Sequence, residues 1–146
     1  MTDDRLHLIV HLGTDRVAFP ADAIEAVVPV WEVTPVPGAE AEVIGLVPIR
    51  SRVLTLLDAR RMVGQNSAAP PPYMALTSHD GHGYALALDR AEDVRALKPP
   101  RKVIGNLSPA WRALEPSLGE VDGESILVVD PGAFVALANA GTAAAA

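Results

Sequence analysis

The feature that most constrains this chain is interruption. Apolar stretches of strand character recur along its length, and proline, glycine or aspartate cuts each one off within a few positions. Proline removes a backbone donor and fixes φ, so cuts this frequent leave room for short strands and brief helices only. Leu6, Leu8, Val10 and Leu12 alternate with His7, Ile9 and His11, the period of a half-buried strand. Gly13-Thr14-Asp15 supplies a turn, residues 16–19 return, and Pro20 stops them. Residues 21–24 suit one helical turn, and residues 25–31 are again strand-like. Thr34-Pro35-Val36-Pro37-Gly38 is loop, and the apolar stretch 43–50 carries Pro48, which favours an edge or a bulge. Residues 53–57 form the strongest strand of this half. Asp58 then stands as N-cap to a helical turn that Gly64 ends.

Residues 65–72, Gln-Asn-Ser-Ala-Ala-Pro-Pro-Pro, are the clearest linker, with three prolines favouring extended geometry. Beyond it the pattern restarts. Residues 73–77 and 84–88 flank a hairpin loop at 78–83, 94–97 form a short strand that Lys98-Pro99-Pro100 breaks, and 125–129 form a strong late strand. Asp130-Pro131 reads as an N-cap with proline at the first helical position, giving a short helix to about 137. The alanine-rich stretch 138–146 is expected to be a mobile tail. The whole predicts an all-β fold of barrel or sandwich type. Both halves follow one plan of hairpin, strand, apolar strand and Asp-led helical turn, although their identity is too low to make a repeat.

Composition narrows the function. Apolar residues make up 49% of 146, enough to bury a core in one domain or in two packed subdomains, and charged residues at 21% argue against a disordered chain. Twelve basic residues against eighteen acidic ones make nucleic acid an unexpected partner, since each neutralised phosphate needs a Lys or Arg. Arg50-Ser51-Arg52 with Arg60-Arg61 is the best local basic patch. There is no cysteine, which excludes disulfides, thiolate zinc sites and a cysteine nucleophile. The acidic start and the shortness of every apolar run predict neither a secretory signal nor membrane insertion, so a cytoplasmic chain is expected.

Catalytic chemistry finds no positive support. His7 and His11 lie about 13 Å apart on a strand, too far to share a metal, and a solvated face is expected for them. His79, Asp80 and His82 read as a polar hairpin tip before they read as a metal site. Asp58, Asp89 and Asp130 each follow an apolar run and are read as caps. Neither a nucleophile elbow nor a phosphate loop occurs, and aromatics at 4% supply little surface for stacking bases. The stretch 43–64 differs, because it sets an arginine beside apolar side chains. That is the composition of a protein-binding hot spot, and equally of a solvated turn arginine.

Residues 44–60 read Ile-Gly-Leu-Val-Pro-Ile-Arg-Ser-Arg-Val-Leu-Thr-Leu-Leu-Asp-Ala-Arg. They resemble the chemotaxis coupling protein family, the CheW-like domains, whose pattern runs close to I-x-G-x-x-N-L-R-G-x-V-[LIV]-P-[LIV]-[LIV]-D-[LIV]-R. Gly45, Arg50 after an aliphatic residue, Val53-Leu54 and Asp58-x-Arg60 fall in register. Ala18-Phe19-Pro20 with Ile24 and Val27, the loop 34–38, the stretch 84–94 and Ser125 to Asp130 resemble further family segments in order.

The resemblance implies two packed five-stranded SH3-like β-barrels with short helical turns. The first spans 14–64 and the second 73–137, with 65–72 as linker and the strand 6–12 free to join the second barrel. It implies a non-catalytic signalling adaptor, without cofactor or metal, that joins the cytoplasmic tip of a chemoreceptor to the regulatory domain of a histidine kinase. The implied receptor face holds Val27, Val47, Ile49, Arg50 and Ser51, and Gly45 is implied to be a turn glycine. Three departures stand near that face: Pro48-Ile49-Arg50-Ser51 replaces the family's Asn-Leu-Arg-Gly, Thr55 replaces a common proline, and Ala26 replaces a frequent glutamate. Serine takes positive φ less readily than glycine, so a differently shaped turn is expected. Two further readings stay open: a CheW-like scaffold in a regulatory complex outside chemotaxis, and a small metal- or ligand-binding barrel using His79, Asp80 and His82.

Overall fold

A computed structural model describes residues 3–65 and 69–145 of the chain. The first half opens with a hairpin of β1 (Arg5–Leu12) and β2 (Asp15–Pro20), followed by a 3-10 turn at Ala21–Ala23 and the strand β3 (Ala26–Pro29). A second hairpin, β4 (Val43–Ile49) and β5 (Arg52–Leu57), leads into α1 (Ala59–Met62). The second half repeats this order. Its hairpin is β6 (Tyr73–His79) with β7 (His82–Leu88), its single strand is β8 (Arg90–Leu97), and its second hairpin is β10 (Ser117–Val121) with β11 (Glu124–Val128). The two-residue strand β9 (Arg101–Lys102) and the helix α2 (Pro109–Ala113) are added before that hairpin, and α3 (Pro131–Ala145) follows it.

The strands assemble into two sheets, β8-β1-β2-β11-β10-β9 and β3-β6-β7-β5-β4, here called the first and second sheets. Their internal order is the same. An outer strand pairs with a hairpin, the hairpin steps in parallel onto a second hairpin, and that hairpin ends the common plan. This is the expected pair of packed β subdomains, with β9 as a sixth strand on one of them. The expected boundaries need correcting, however. The sheets do not divide at residues 65–72, because the halves exchange their leading hairpins: β1–β2 pairs with β8 and β11, and β6–β7 pairs with β3 and β5. The cause is the pair of parallel ladders, Val17 and Ala18 beside Leu127 and Val128, and Thr55 to Leu57 beside Tyr84 to Leu86. Strand 6–12 therefore joins the C-terminal strands, as the resemblance allowed, and β2 goes with it. Asn66, Ser67 and Ala68 of the expected linker lie outside the described residues.

Three apolar clusters result. Val47, Leu54, Leu56, Met74, Leu76 and Ala85 fill the second sheet, while Ile9, Ala18, Leu97, Val121, Ile126 and Val128 fill the first. A third cluster lies between the sheets, where Val10, Leu12, Val17 and Phe19 meet Leu57, Ala75, Leu86 and Leu88, closed by Phe134 and Val135 of α3. The rings of Phe19 and Phe134 meet edge to face at 6.1 Å, an arrangement aromatic quadrupoles favour. Strand β1 thus buries both of its faces, Val10 and Leu12 toward the shared core and Ile9 toward its own sheet.

This corrects the solvated face expected for the histidines. His7 is buried, with Nδ1–H donating to the Arg5 carbonyl at 2.9 Å, and His11 is engaged by Glu92. The expected tail is also corrected. Helix α3 continues to Ala145, Ala138 is buried in the shared core, and Asp130 caps the helix by accepting from the Gly132 amide at 2.9 Å. The β6–β7 connection is tighter than the expected loop at 78–83. Only Asp80 and Gly81 turn, both at positive φ, as a two-residue hairpin requires.

Candidate functional site

The sequence-predicted receptor residues cluster where β4 turns into β5, but they do not share one surface. Alternation along β4 sends Val47 and Ile49 inward, so both are buried in the core of the second sheet, and neither offers a side chain to a partner. Val27, on the outer strand β3, is half-buried and packs against the shared core. Arg50 and Ser51 are exposed at the turn itself. The turn places its positive φ on Arg50, at 56°, and not on Ser51. Left-handed backbone costs a residue with a Cβ about 1 kcal/mol or more, so Arg50 is held in a strained and projecting position. Arg52 reaches Glu25 at 3.0 Å, an ion pair about half exposed on each side and therefore worth little in stability. Val53, 67% exposed, gives the turn a bare apolar side chain next to its cations.

Gly45 is corrected from a turn glycine to one inside β4, at a shift of register between Val43 and Gly45. Thr34 and Leu46 exchange both backbone hydrogen bonds there, at 2.9 and 2.8 Å, which covers part of the open edge of β4. A Cβ on Gly45 would lie 2.4 Å from the Thr34 carbonyl oxygen, so this coverage requires glycine.

The basic patch read from sequence breaks apart. Arg60 is 2% exposed, its guanidinium bonded to Asp58 at 3.0 Å, to Asp89 at 3.2 Å and to the Ala69 carbonyl at 3.2 Å. Burial opposes its charge, but the hydrogen bonds and fields of Asp58 and Asp89 outweigh this and hold its pKa above the ordinary arginine value. Asp58 caps α1 as expected, accepting from the Arg61 amide. Asp89 caps no helix. Its carboxylate accepts from the Gly13 amide and from Arg60, tying the β1–β2 turn to α1. Asp15 extends this belt, accepting from Gln65 at 3.0 Å and from the Trp111 indole at 3.3 Å.

A second ionic cluster joins three strands. Glu92 of β8 accepts from Arg16 at 2.7 and 2.9 Å and from His11 at 2.6 Å. Hydrogen bonds from Arg16, resisted by burial and aided by His11, pull the Glu92 carboxyl down to about 2. At the β6–β7 tip His79 approaches Asp80 at 3.5 Å and His82 is exposed, and among the described residues no three metal-ligating side chains converge. No described helix is long and apolar enough to cross a membrane.

Sequence reasoning missed an open apolar feature of the second sheet. Trp31, 65% exposed, lines a groove with Val33, Pro35, Ile44, Pro70 and Pro71. An exposed tryptophan between two proline-bearing segments was the available signal.

The sequence model of the CheW-like domain matches residues 6–138. Among solved structures, the scaffolding protein TtCheW from Thermoanaerobacter tengcongensis superposes with a TM-score of 0.72 at 15% identity, over 86% of this chain and 88% of that one. No curated protein matches the sequence.

Proposed function

The chain belongs to the CheW-like domain family, and from that premise we propose that it is a non-catalytic adaptor coupling chemoreceptors to a histidine kinase in a cytoplasmic array of chemotaxis type. The observation that carries the reading is the β4–β5 turn, where a strained, exposed Arg50 stands beside Ser51 and a bare Val53. A planar guanidinium with an adjoining apolar side chain is the usual composition of an interface anchor. Val47 and Ile49 serve this reading from within, fixing the strand that presents the turn. Val27 braces the opposite outer strand.

The partners under this reading are the helical cytoplasmic tip of a receptor and the regulatory domain of the kinase. Calorimetry with the regulatory domain from the same cell should give one-to-one binding at micromolar affinity or tighter, and no detectable heat with folded protein would overturn that partner. Arg50→Glu should weaken receptor binding at least tenfold with the circular dichroism spectrum unchanged. An unaltered titration would remove Arg50 from the interface.

A further inference from the structure

The core of the first sheet opens into a cavity of about 800 Å³ near the start of β1. His7 lies on the face of β1 that carries Ile9 into that core. His7 and Val128 of β11 are the most buried residues of the lining, at 3% and 6% exposure. Leu6, Pro20 and Pro100 supply further apolar wall, and Asp22, Glu115, Ser117 and Asp130 stand around it with Arg5 as the one cation. A space of this order, with an apolar wall and a few polar groups, suits a small organic molecule, and the mouths of β-barrels are a common place for one.

The polar groups select the chemistry of that molecule. A backbone carbonyl can only accept, so the 2.9 Å bond to the Arg5 carbonyl fixes a proton on Nδ1 of His7 and leaves Nε2 of the neutral ring as an acceptor. Nε2 bonds to no described residue, yet no polar side-chain atom of the described residues is sealed off without a partner, so this nitrogen faces the open space of the cavity. The fold alone gives a buried imidazole no reason to keep such an acceptor. Asp22, Glu115 and Asp130 enter no ion pair among the described residues, and Asp130 spends one oxygen on the Gly132 amide and keeps the other. Glu115 follows Leu114, the C-cap of α2, at φ 51°, where glycine would sit at less cost; the chain sets a carboxylate at the cavity instead. Three carboxylates against one arginine disfavour an anion. No three metal-ligating side chains converge among the described residues, which disfavours a bare metal ion. An ammonium group satisfies both conditions, since its N–H donors make charge-assisted bonds one acceptor at a time.

We propose that this cavity binds a small organic amine, its protonated nitrogen donating to His7 Nε2 in the field of Asp22, Glu115 and Asp130, its apolar body against Leu6, Pro20, Pro100 and Val128. No residue of the lining belongs to the β4–β5 turn, so the site stands whether or not Arg50 anchors a receptor.

A nitrogen-15 correlation NMR titration of the full chain with benzylamine tests it, with benzyl alcohol and benzoate as neutral and anionic probes of similar shape. Benzylamine should bind saturably, in the millimolar range or tighter, moving the amides of His7, Asp22, Glu115, Ser117 and Asp130 together with the His7 Nε2 resonance. Benzyl alcohol and benzoate should bind at least tenfold more weakly. His7→Phe keeps a ring in the core without the acceptor and should weaken benzylamine binding at least tenfold. The double variant Asp22→Asn with Glu115→Gln changes exposed side chains only, spares the core, and should weaken it at least threefold. Absence of a saturable shift with benzylamine overturns the proposal. So does benzyl alcohol or benzoate binding as tightly, or a folded variant of either kind that binds benzylamine like the parent.

Discussion

The hairpins β4–β5 and β10–β11 hold the same place in the two sheets, yet they turn by different means. In β10–β11 the turn is Asp122-Gly123, both at positive φ, which is the residue pair such a turn favours. Asp122 also holds Arg95 through two hydrogen bonds, at 2.6 and 3.1 Å, and this arginine keeps its carboxyl below the ordinary range. In β4–β5 the turn is Arg50-Ser51, with the strained backbone loaded on an arginine. One hairpin obeys the local rule and the other breaks it. Departures of this kind concentrate where a protein uses a residue for something other than stability, so the contrast directs attention to Arg50.

The comparison can be broken at several points. The largest effect should come from the core that the two sheets share. Phe134→Ala removes a fully buried ring in contact with Phe19 and should cost about 3–5 kcal/mol, read by chemical denaturation. Both sheets should then unfold in one shifted transition, and separate transitions would show that they are independent units.

Next come the glycines that β4 and β10 each bury. Gly45→Ala drives a Cβ into the Thr34 backbone and should cost about 1–3 kcal/mol, whereas Gly119→Ala meets only side chains, of Val128 at 2.9 Å and Leu97 at 3.2 Å, and should cost less. Equal losses would deny that the Thr34 bridge is specific to β4.

A smaller effect of opposite sign is expected at the turn. Arg50→Gly relieves the left-handed strain and should stabilise the chain by about 1 kcal/mol while weakening receptor binding. Destabilisation would mean that Arg50 is placed by packing and not held at a cost.

A further, pH-dependent effect concerns acid. Glu92 has its folded pKa depressed from 4.5 to about 2, so the stability it adds is complete above about 4.5 and is lost as pH falls toward 2. Glu92→Gln should flatten this acid limb, which unfolding curves between those two pH values would register.

Much of this architecture was legible in the sequence. Most of the strands, the Asp58 and Asp130 caps and the common plan of the halves follow from local rules, because alternation and capping act over a few residues, whereas β9 and β10 were not expected from the sequence. Helix α2 was legible but overlooked. Its Ser108-Pro109 start repeats the Asp130-Pro131 pattern, and the Ser108 hydroxyl accepts from the Trp111 amide. The hairpin exchange was not legible, since ladders joining residue 17 to residue 127 leave no trace in local periodicity. The inward placement of Val47 and Ile49 was not legible either. Stretch 43–49 is apolar at nearly every position, so period-2 alternation cannot say which face is the core. Likewise the leucines of β1 hid the fact that His7 and His11 share their face with buried Ile9.

The exchanged hairpins also set a timetable for the chain as it leaves the ribosome. The second sheet is ready to close once β7 has emerged, because all five of its strands lie between residues 26 and 88. Strands β1 and β2 are made before that sheet but wait for β8 and β11. At about 5–20 residues per second, roughly 5–20 s pass between the synthesis of Pro20 and that of Val128. Through that interval a hairpin with two apolar faces stands beside a nearly finished neighbour, and a hairpin made before both of its partner strands finds its place only when the later one arrives.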